Sequence, residues 1–318
     1  MSASAATRNE PTLRLTPGHS ASAEPLVAPP RGSVALGLDV GGTKVAAGLV
    51  DSSGVVLTRA LVPTAGSGPD ELWDVVAGLV ATVLAETGPD TVVDRCGVGC
   101  GGPMAGFGET VSPVNIPQWR EFPLRQRLVD LLGVPVALDN DAKALALAEG
   151  WLGAAAGCPN FIAMVVSTGV GGGIVLDGRL LDGADGNAGH IGHVIVEPDG
   201  RRCGCGAQGC LEAEASGTAI AAITGEPAAQ ASPEEVERVG TLVGRAVASV
   251  ASLLDLRLAV VGGSVALGFG DPFFAAARRE LSARAQLDFA ANVDIVPVGL
   301  GEDAPLIGAA AVSWRAGQ

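Results

Sequence analysis

ALGLDVGGTKVAAGLVDSSG, residues 35–54, shares its design with AMVVSTGVGGGIVLDG, residues 163–178. Each is an apolar strand, a glycine-rich turn of small or acidic residues, and a second apolar strand running out at Asp and Gly. Self-similarity of this kind marks a duplicated unit, and missing it would misplace the whole fold. The segments around the two copies agree. After the first come a helical pattern, PDELWDVVAGLVATVLAET, a short buried strand, RCGVGCGG, a second amphipathic helix, FPLRQRLVDLLG, and the strand VPVALDN, which runs directly into the helix DAKALALAEGW. After the second come a Cys-rich insert, the long helical stretch PEEVERVGTLVGRAVASVASLLDL, the strand-turn RLAVVGGSV, a helix from about Pro272 to Leu287, the strand VDIVPV and a last helix from Pro305. Strands alternating with helices predict an α/β fold with helical crossovers. Two similar halves place a cleft between them, lined by both glycine turns, and such clefts are where ligands bind.

The chain of 318 residues is 48% hydrophobic and 17% charged, enough apolar material for two medium domains. A formal net charge of −14 argues against nucleic acid as the main partner, because gripping a phosphate backbone needs clustered Lys and Arg. Residues 1–33 hold Pro11, Pro17, Pro25, Pro29 and Pro30 among Ala and Ser, with no apolar core of a signal peptide, and read as a disordered tail. The longest uncharged run, FIAMVVSTGVGGGIVL, is shorter than the roughly 20 apolar residues of a spanning helix and carries several glycines, so no membrane segment is expected. The predicted domains are 34–137, completed by a C-terminal helix over 304–318, and 138–303. With no export signal, the six cysteines point to a reducing cytoplasm, where metal ligation precedes disulfides as a reading. Cys96, Cys100 and Cys158 are scattered and read as buried small apolar residues.

Glycine lets backbone N–H groups approach a ligand, and successive ones form a concave anion site. In DVGGTK, Gly41, Gly42 and Thr43 suit phosphate oxygens while Asp39 suits Mg²⁺ or its water; in STGVGGG, Thr168, Gly169 and Gly171 suit the same from the other side. Either turn alone is also compatible with an ordinary hairpin; matching positions in a duplicated unit favour the phosphate reading. GVGCGG at 97–102 fits the dinucleotide pattern in letters only, since Pro103 follows where a helix should begin. A P-loop pattern is absent.

Asn140 and Asp141 fall at a strand-to-helix junction. Asn140 suits an N-cap and Asp141 the first turn, where the helix dipole favours a carboxylate. The same position suits Asp141 as a general base taking a hydroxyl proton in phosphoryl transfer, with Asn140 orienting the acceptor. Lys143, two residues on, does not share a helix face with Asp141, yet bears on the pocket's charge. Further on, His193, Cys203, Cys205 and Cys210 make a Cys₃His set in C-x-C-x₄-C spacing with turn glycines, as a closed structural Zn²⁺ site takes. Such a knot would fix His193 and Glu212 at the cleft edge. His190, three residues before, is not a ligand in this reading.

Taken together, DVGGTK, DND, STGVGGG, GHIGH, CGCGAQGCLE and VVGGSV resemble the ROK family of sugar kinases and repressors, within the actin and hexokinase superfamily, over nearly all of residues 34–318. The resemblance implies a duplicated ribonuclease H-like fold and ATP-dependent phosphorylation of a hexose 6-hydroxyl, with ATP, Mg²⁺ and structural Zn²⁺. It makes Asp141 the base, gives sugar hydroxyls to Asn140, Glu212 and His193, and adds Gly101, Gly102 and Asn115 to the sugar pocket. It assigns Lys44 with the first turn, and Gly262 with Gly263, to ATP. Members are commonly homodimers or homotetramers. Glucose-type members carry Glu at the position of His190; GHIGH resembles the bacterial N-acetylmannosamine kinases of the family. A carboxylate only accepts hydrogen bonds, whereas a neutral imidazole can donate to an acetamido carbonyl. The expectation is therefore an N-acetylmannosamine kinase, with glucokinase or another hexose kinase as the alternative. A repressor would need a helix-turn-helix module that a Pro-rich leader does not supply.

Overall fold

The computed structural model describes residues 25–88 and 91–315. The strands flanking the first glycine turn are β1 (Val34–Val40) and β2 (Lys44–Asp51). Asp51 then closes a tight turn by accepting the N–H groups of Ser53 and Val55, and β3 (Val56–Pro63) follows. Next come α1 (Pro69–Ala85), β4 (Arg95–Cys100), the short β5 (Met104–Ala105) and β6 (Thr110–Val111), α2 (Leu124–Leu132) and β7 (Val136–Asn140). The second half opens with α3 (Asp141–Trp151), β8 (Phe161–Val166), β9 (Val170–Leu176) and β10 (Arg179–Leu180). It continues through α4 (Leu211–Ala215), α5 (Gly217–Thr224), α6 (Pro233–Leu254), β11 (Leu258–Gly262), α7 (Ser264–Arg284), β12 (Asp294–Pro297) and α8 (Ala304–Ser313).

The duplication is visible in the sheets. The first runs β3-β2-β1-β4-β7 and the second β10-β9-β8-β11-β12. Each has three antiparallel strands followed by two parallel ones, in the same order. The duplicated, actin/hexokinase-like arrangement expected from the sequence is the fold observed.

Two helices fill the space between the sheets, and glycine decides how closely they sit. Along β1 the residues Leu36, Leu38 and Val40 join the core with α1, whereas Ala35 and Gly37 face α8. A Cβ on Gly37 would stand 2.6 Å from the Leu306 carbonyl oxygen, and one on Gly97 would overlap that of Ala309. On the other side α3 rests on β9, where a Cβ on Gly173 would lie 2.7 Å from Lys143 Cα. The helices themselves meet at Gly308, whose added Cβ would reach 2.5 Å from the Ala144 carbonyl oxygen. At the far end of α3 the fully buried Glu149 accepts N–H groups of Ala154, Gly299 and Leu300, tying the segment that enters α8 to α3.

Three boundaries differ from the sequence reading. All five residues of β7 pair with β4, so the strand read at VPVALDN carries the first sheet to Asn140, past the domain boundary drawn at 137. Residues 25–33 are ordered rather than tail: Val27 is buried and pairs with Arg315, and the Ala28 N–H donates to the Trp314 carbonyl at 3.0 Å. Their apolar side chains fill the slot where α3 and α8 end; residues 1–24, with His19, lie outside the described part. Lastly, α7 is two helical segments joined at the non-helical Gly270 (φ 60°, ψ −146°): the second is the helix expected from about Pro272, and the first, from Ser264, was not read in the sequence.

The packing makes a sign prediction. Gly→Ala in an exposed helix gains about 1 kcal/mol. At Gly308 it should instead cost about 2 kcal/mol, by overpacking against Ala144. Denaturant unfolding measures this; a stabilised Gly308→Ala variant would mean that α8 and α3 do not meet there.

Candidate active site

The C-terminal ends of the parallel strands converge on the cleft, where open α/β sheets hold their ligands. Asp39 pairs in register with Gly99 and that with Asp139, so Asp39, Gly99 and the start of α3 come together. Gly99 lies between the two acids: a Cβ there would be in ordinary contact with both, 3.5 Å from Asp141 Cα and 3.7 Å from Asp39 Oδ1. Asn140 caps α3 as expected, its Oδ1 accepting the Ala142 N–H at 3.0 Å, and Asp141 Oδ1 accepts the same N–H at 2.8 Å.

Burial, reinforced by the Asp141 charge and only partly offset by Lys44, pushes the Asp39 carboxyl up to about 7. Burial also raises Asp141, opposed by the Ala142 N–H and by His190. Two desolvated carboxylates with little nearby compensation suit a bound cation. Burial and the neighbouring His193 hold His190 below its ordinary value, leaving a neutral imidazole at pH 7.

Around the acids the other candidate residues fall into three groups. Gly102 lies against Asn140 and His190: its added Cβ would stand 3.4 Å from both Asn140 Nδ2 and His190 Cε1. Gly101 precedes it and abuts Pro113, and the Val114 N–H donates to the Gly102 carbonyl, so this wall is tied to the loop bearing Asn115. In the first glycine turn Gly42 sits against Asn115, Gly41 is held by Lys44 and Thr64, and Thr43 and Lys44 are exposed. In the second turn the Val170 N–H donates to Glu212 Oε2 at 3.1 Å, with Gly169 beside that carboxylate and Gly171 against Ala142 of α3. The Ser167 hydroxyl meets that of Ser264 at 2.9 Å, and Gly263, preceded by Gly262, packs on the Val166 backbone.

His193, Cys203, Cys205 and Cys210 also come together. Their ligand atoms all lie within 4.8 Å of one another, with Cys203 Sγ 3.7 Å from His193 Nδ1 and Cys205 Sγ 3.7 Å from Cys210 Sγ. Nδ1 faces the thiols, which turns Nε2 away from them. His190 is outside the cluster, its ring centroid 6.0 Å from that of His193. Cys96 and Cys100 are buried as expected, and burial alone pushes Cys96 up to about 12.

Lys143 is a correction to the charge expected of the pocket. It is fully buried on the far side of α3, 2.8 Å from Asp139 and 3.0 Å from Asp182, and Arg315 completes the ion network. Those carboxylates neutralise it, so it adds no charge beside Asp141. Three other contributors went unread in the sequence. Gly217 and Thr218, opening α5, donate to the carbonyls of Ser167 and Thr168. Buried Glu214 accepts both the N–H and the guanidinium of Arg201 at 2.6 Å, clamping the thiol loop to α4. Each is a single residue without a motif, legible only once the chain is folded.

The Asp39 environment has a measurable cost. An unfolded chain releases that proton near 3.8, the folded one near 7, so the folded state is the more protonated between those values. Its contribution to stability is present below the lower value and lost as pH rises through the upper. Asp39→Asn should therefore stabilise at pH 8 by on the order of 2 kcal/mol, half the full shift to allow for water reaching a partly exposed group, and do little at pH 4. Equal stability of variant and wild type at pH 8 would refute the desolvation argument.

Residues 35–315 match the model of the ROK family. A glucokinase of Thermotoga maritima is 32% identical, the match covering 87% of this chain and 96% of that protein. An N-acetylmannosamine kinase of Escherichia fergusonii is 36% identical over 86% and 96%. Among solved structures, a ROK family glucokinase from Streptomyces griseus in complex with glucose and AMPPNP superposes with a TM-score of 0.77 at 30% identity, over 88% of this chain and 99% of that one. A ROK hexokinase from Thermus thermophilus gives 0.74 at 34%, over 88% and 98%. Among the described residues no helix is long and apolar enough to cross a membrane. With this match spanning both sheets, the glycine turns and the thiol loop, the chain belongs to the ROK family.

Proposed function

We propose that this protein is an ATP-dependent sugar kinase that phosphorylates the 6-hydroxyl of N-acetylmannosamine, with Asp141 as general base. The observation that carries the reading is the position of Asp141: it stands between the Gly102–Asn140–His190 wall and the two glycine turns, where a sugar hydroxyl and a γ-phosphate would meet. The acceptor hydroxyl gives its proton to the Asp141 carboxylate as its oxygen bonds to the γ-phosphorus, and the bond to the ADP oxygen breaks. The N–H groups of Gly42, Thr43, Thr168, Gly169 and Gly171 bind phosphate oxygens, Gly41 shapes the first turn by donating to the Lys44 carbonyl, and Gly262 and Gly263 lie under the adenosine. Mg²⁺, for which Asp39 is the candidate partner, supplies positive charge to the β- and γ-oxygens when bound.

For the sugar, Asn140, Glu212 and His193 take hydroxyls, and Gly101, Gly102 and Asn115 shape the wall. His190 is the acetamido-facing residue, since a neutral imidazole can donate where a carboxylate cannot. Support comes from the N-acetylmannosamine kinase relatives; the glucokinase relatives make glucose the alternative substrate.

The four thiol-loop ligands fit Zn²⁺. A tetrahedron with Zn–S bonds of about 2.3 Å needs S–S separations of about 3.8 Å, close to the 3.7 Å between Cys205 and Cys210. Four protein ligands leave no open position, so the ion would be structural, held by His193, Cys203, Cys205 and Cys210.

A coupled assay of ADP release with glucose, N-acetylmannosamine, N-acetylglucosamine, mannose and fructose tests the substrate; a kcat/KM higher for glucose replaces the first reading by the second. Asp141→Asn should lower kcat by a factor of about 10²–10⁴, and unchanged turnover removes it as the base. In the wild type, kcat/KM should fall on acidification with a limb above the ordinary carboxylate range, because Asp141 must be ionised and burial raises it. His190→Glu should move the kcat/KM ratio towards glucose.

Metal analysis of protein purified without chelator should find about one Zn²⁺ per chain. Cys205→Ser should lose the metal and lower Tm, and less than half an equivalent in the wild type would remove zinc from the loop.

A further inference from the structure

One side chain bridges the two walls of the pocket. Asn187 belongs to the second half, three residues before His190, and Met104 to the first, two residues after Gly102. The Asn187 amide pairs with both backbone groups of Met104: Nδ2 donates to the carbonyl oxygen at 3.1 Å and Oδ1 accepts the N–H at 3.3 Å. Nδ2 also donates to the Asp185 carbonyl at 3.3 Å, which fixes the side chain on its own loop.

The first loop's backbone hydrogen bonds stay within its own half, and the second loop is tied at Asp182 to Arg315 and beside Phe107 at Gly186. The Pro103 carbonyl accepts from Ser112 and that of Gly102 from Val114. On the opposite side, the Ala188 N–H donates to the Asp182 carbonyl, and Gly189 (φ 103°) packs on the Gly172 backbone so closely that no side chain would fit. The amide pair joins these two stiff pieces, and the width it fixes is that between Gly102 and His190.

We propose that Asn187 is a positioning residue for the sugar site, setting the Gly102–His190 spacing and so presenting His190 to the substituent at its end of the sugar. The chemistry demands this residue. A carboxylate in its place would accept the Met104 N–H but oppose the Met104 carbonyl; an alkyl side chain would do neither; a longer amide would push the walls apart. A site whose width is set beforehand does not lose affinity to ordering its walls on binding.

The proposal rests on the sugar-kinase reading, and its test separates the two. For whichever hexose the wild type phosphorylates best, Asn187→Ala and Asn187→Asp should raise the sugar KM about 10-fold, the loss expected of two hydrogen bonds. KM for ATP, kcat at saturating sugar and bound zinc should stay within about 2-fold. The discrimination between N-acetylmannosamine and glucose should narrow in both variants. An unchanged sugar KM, or a parallel loss in kcat and in KM for ATP, overturns the proposal.

Amide hydrogen exchange reads the same contact without turnover. Met104 should be protected in the wild type and lose that protection in Asn187→Ala, with the α3 and α8 amides unaffected. Unchanged exchange at Met104 overturns the contact whatever the substrate, whereas lost protection in a protein that turns over no hexose rejects the kinase reading and keeps the contact.

Discussion

Backbone touching backbone between the two sheets is the constraint on which everything else depends. Gly37 and Gly97 let α8 lie on β1 and β4, Gly171 and Gly173 let α3 lie on β9, and Gly308 lets the helices meet. A Cβ at Gly37, Gly97, Gly173 or Gly308 would come within 3.0 Å of a neighbour's backbone, and one at Gly171 within 3.1 Å of Ala142 Cβ, so the layers would be pushed apart. Asp39 is on the first sheet and Asp141 on the first turn of α3, so their separation is set by this packing. Gly99, at the end of the same seam, stands between the two acids.

Close approach of two acids is unfavourable for folding and useful for catalysis. Asp39 gains no ion pair strong enough to offset its burial, and it carries the added field of Asp141. By contrast, Asp139, two strands away on β7, is paired with Lys143 and Arg315. Register through Gly99 keeps both carboxylates on one face of the sheet, so a satisfied ion network and an unsatisfied acid stand two strands apart. That contrast is the physical mark of a site: carboxylates uncompensated by the protein await a ligand that compensates them.

The sugar-facing loops are held by several independent devices. Glu214 clamps the thiol loop to α4 through Arg201, while Glu212 on the same short helix reaches the second glycine turn. The thiol cluster closes the loop that bears His193, and the Asn187 amide spans to the first half. Loops carrying binding residues are ordinarily mobile, and these attachments convert them into fixed walls.

How much of this the sequence made legible follows from which interactions are local. The duplicated strand-turn-strand design, the helix cap at Asn140 with Asp141 behind it, and the Cys₃His spacing all depend on residues near one another in the chain, and each was readable. The bend of α7 was hidden by its glycines and proline, and Leu26 and Val27 looked like tail because the slot they fill is made of residues over a hundred positions away. Lys143 was read from helix geometry as off the Asp141 face, correctly, but its partner Asp182, and Arg315 that shares that carboxylate, come from far along the chain. The sequence by itself determined the repeated architecture, the chemistry of the candidate residues and the family. Only the tertiary structure decided which glycines are seams, which charges are neutralised and which side chain joins the two halves, because those depend on pairs of surfaces brought together by folding and not on any pattern along the chain.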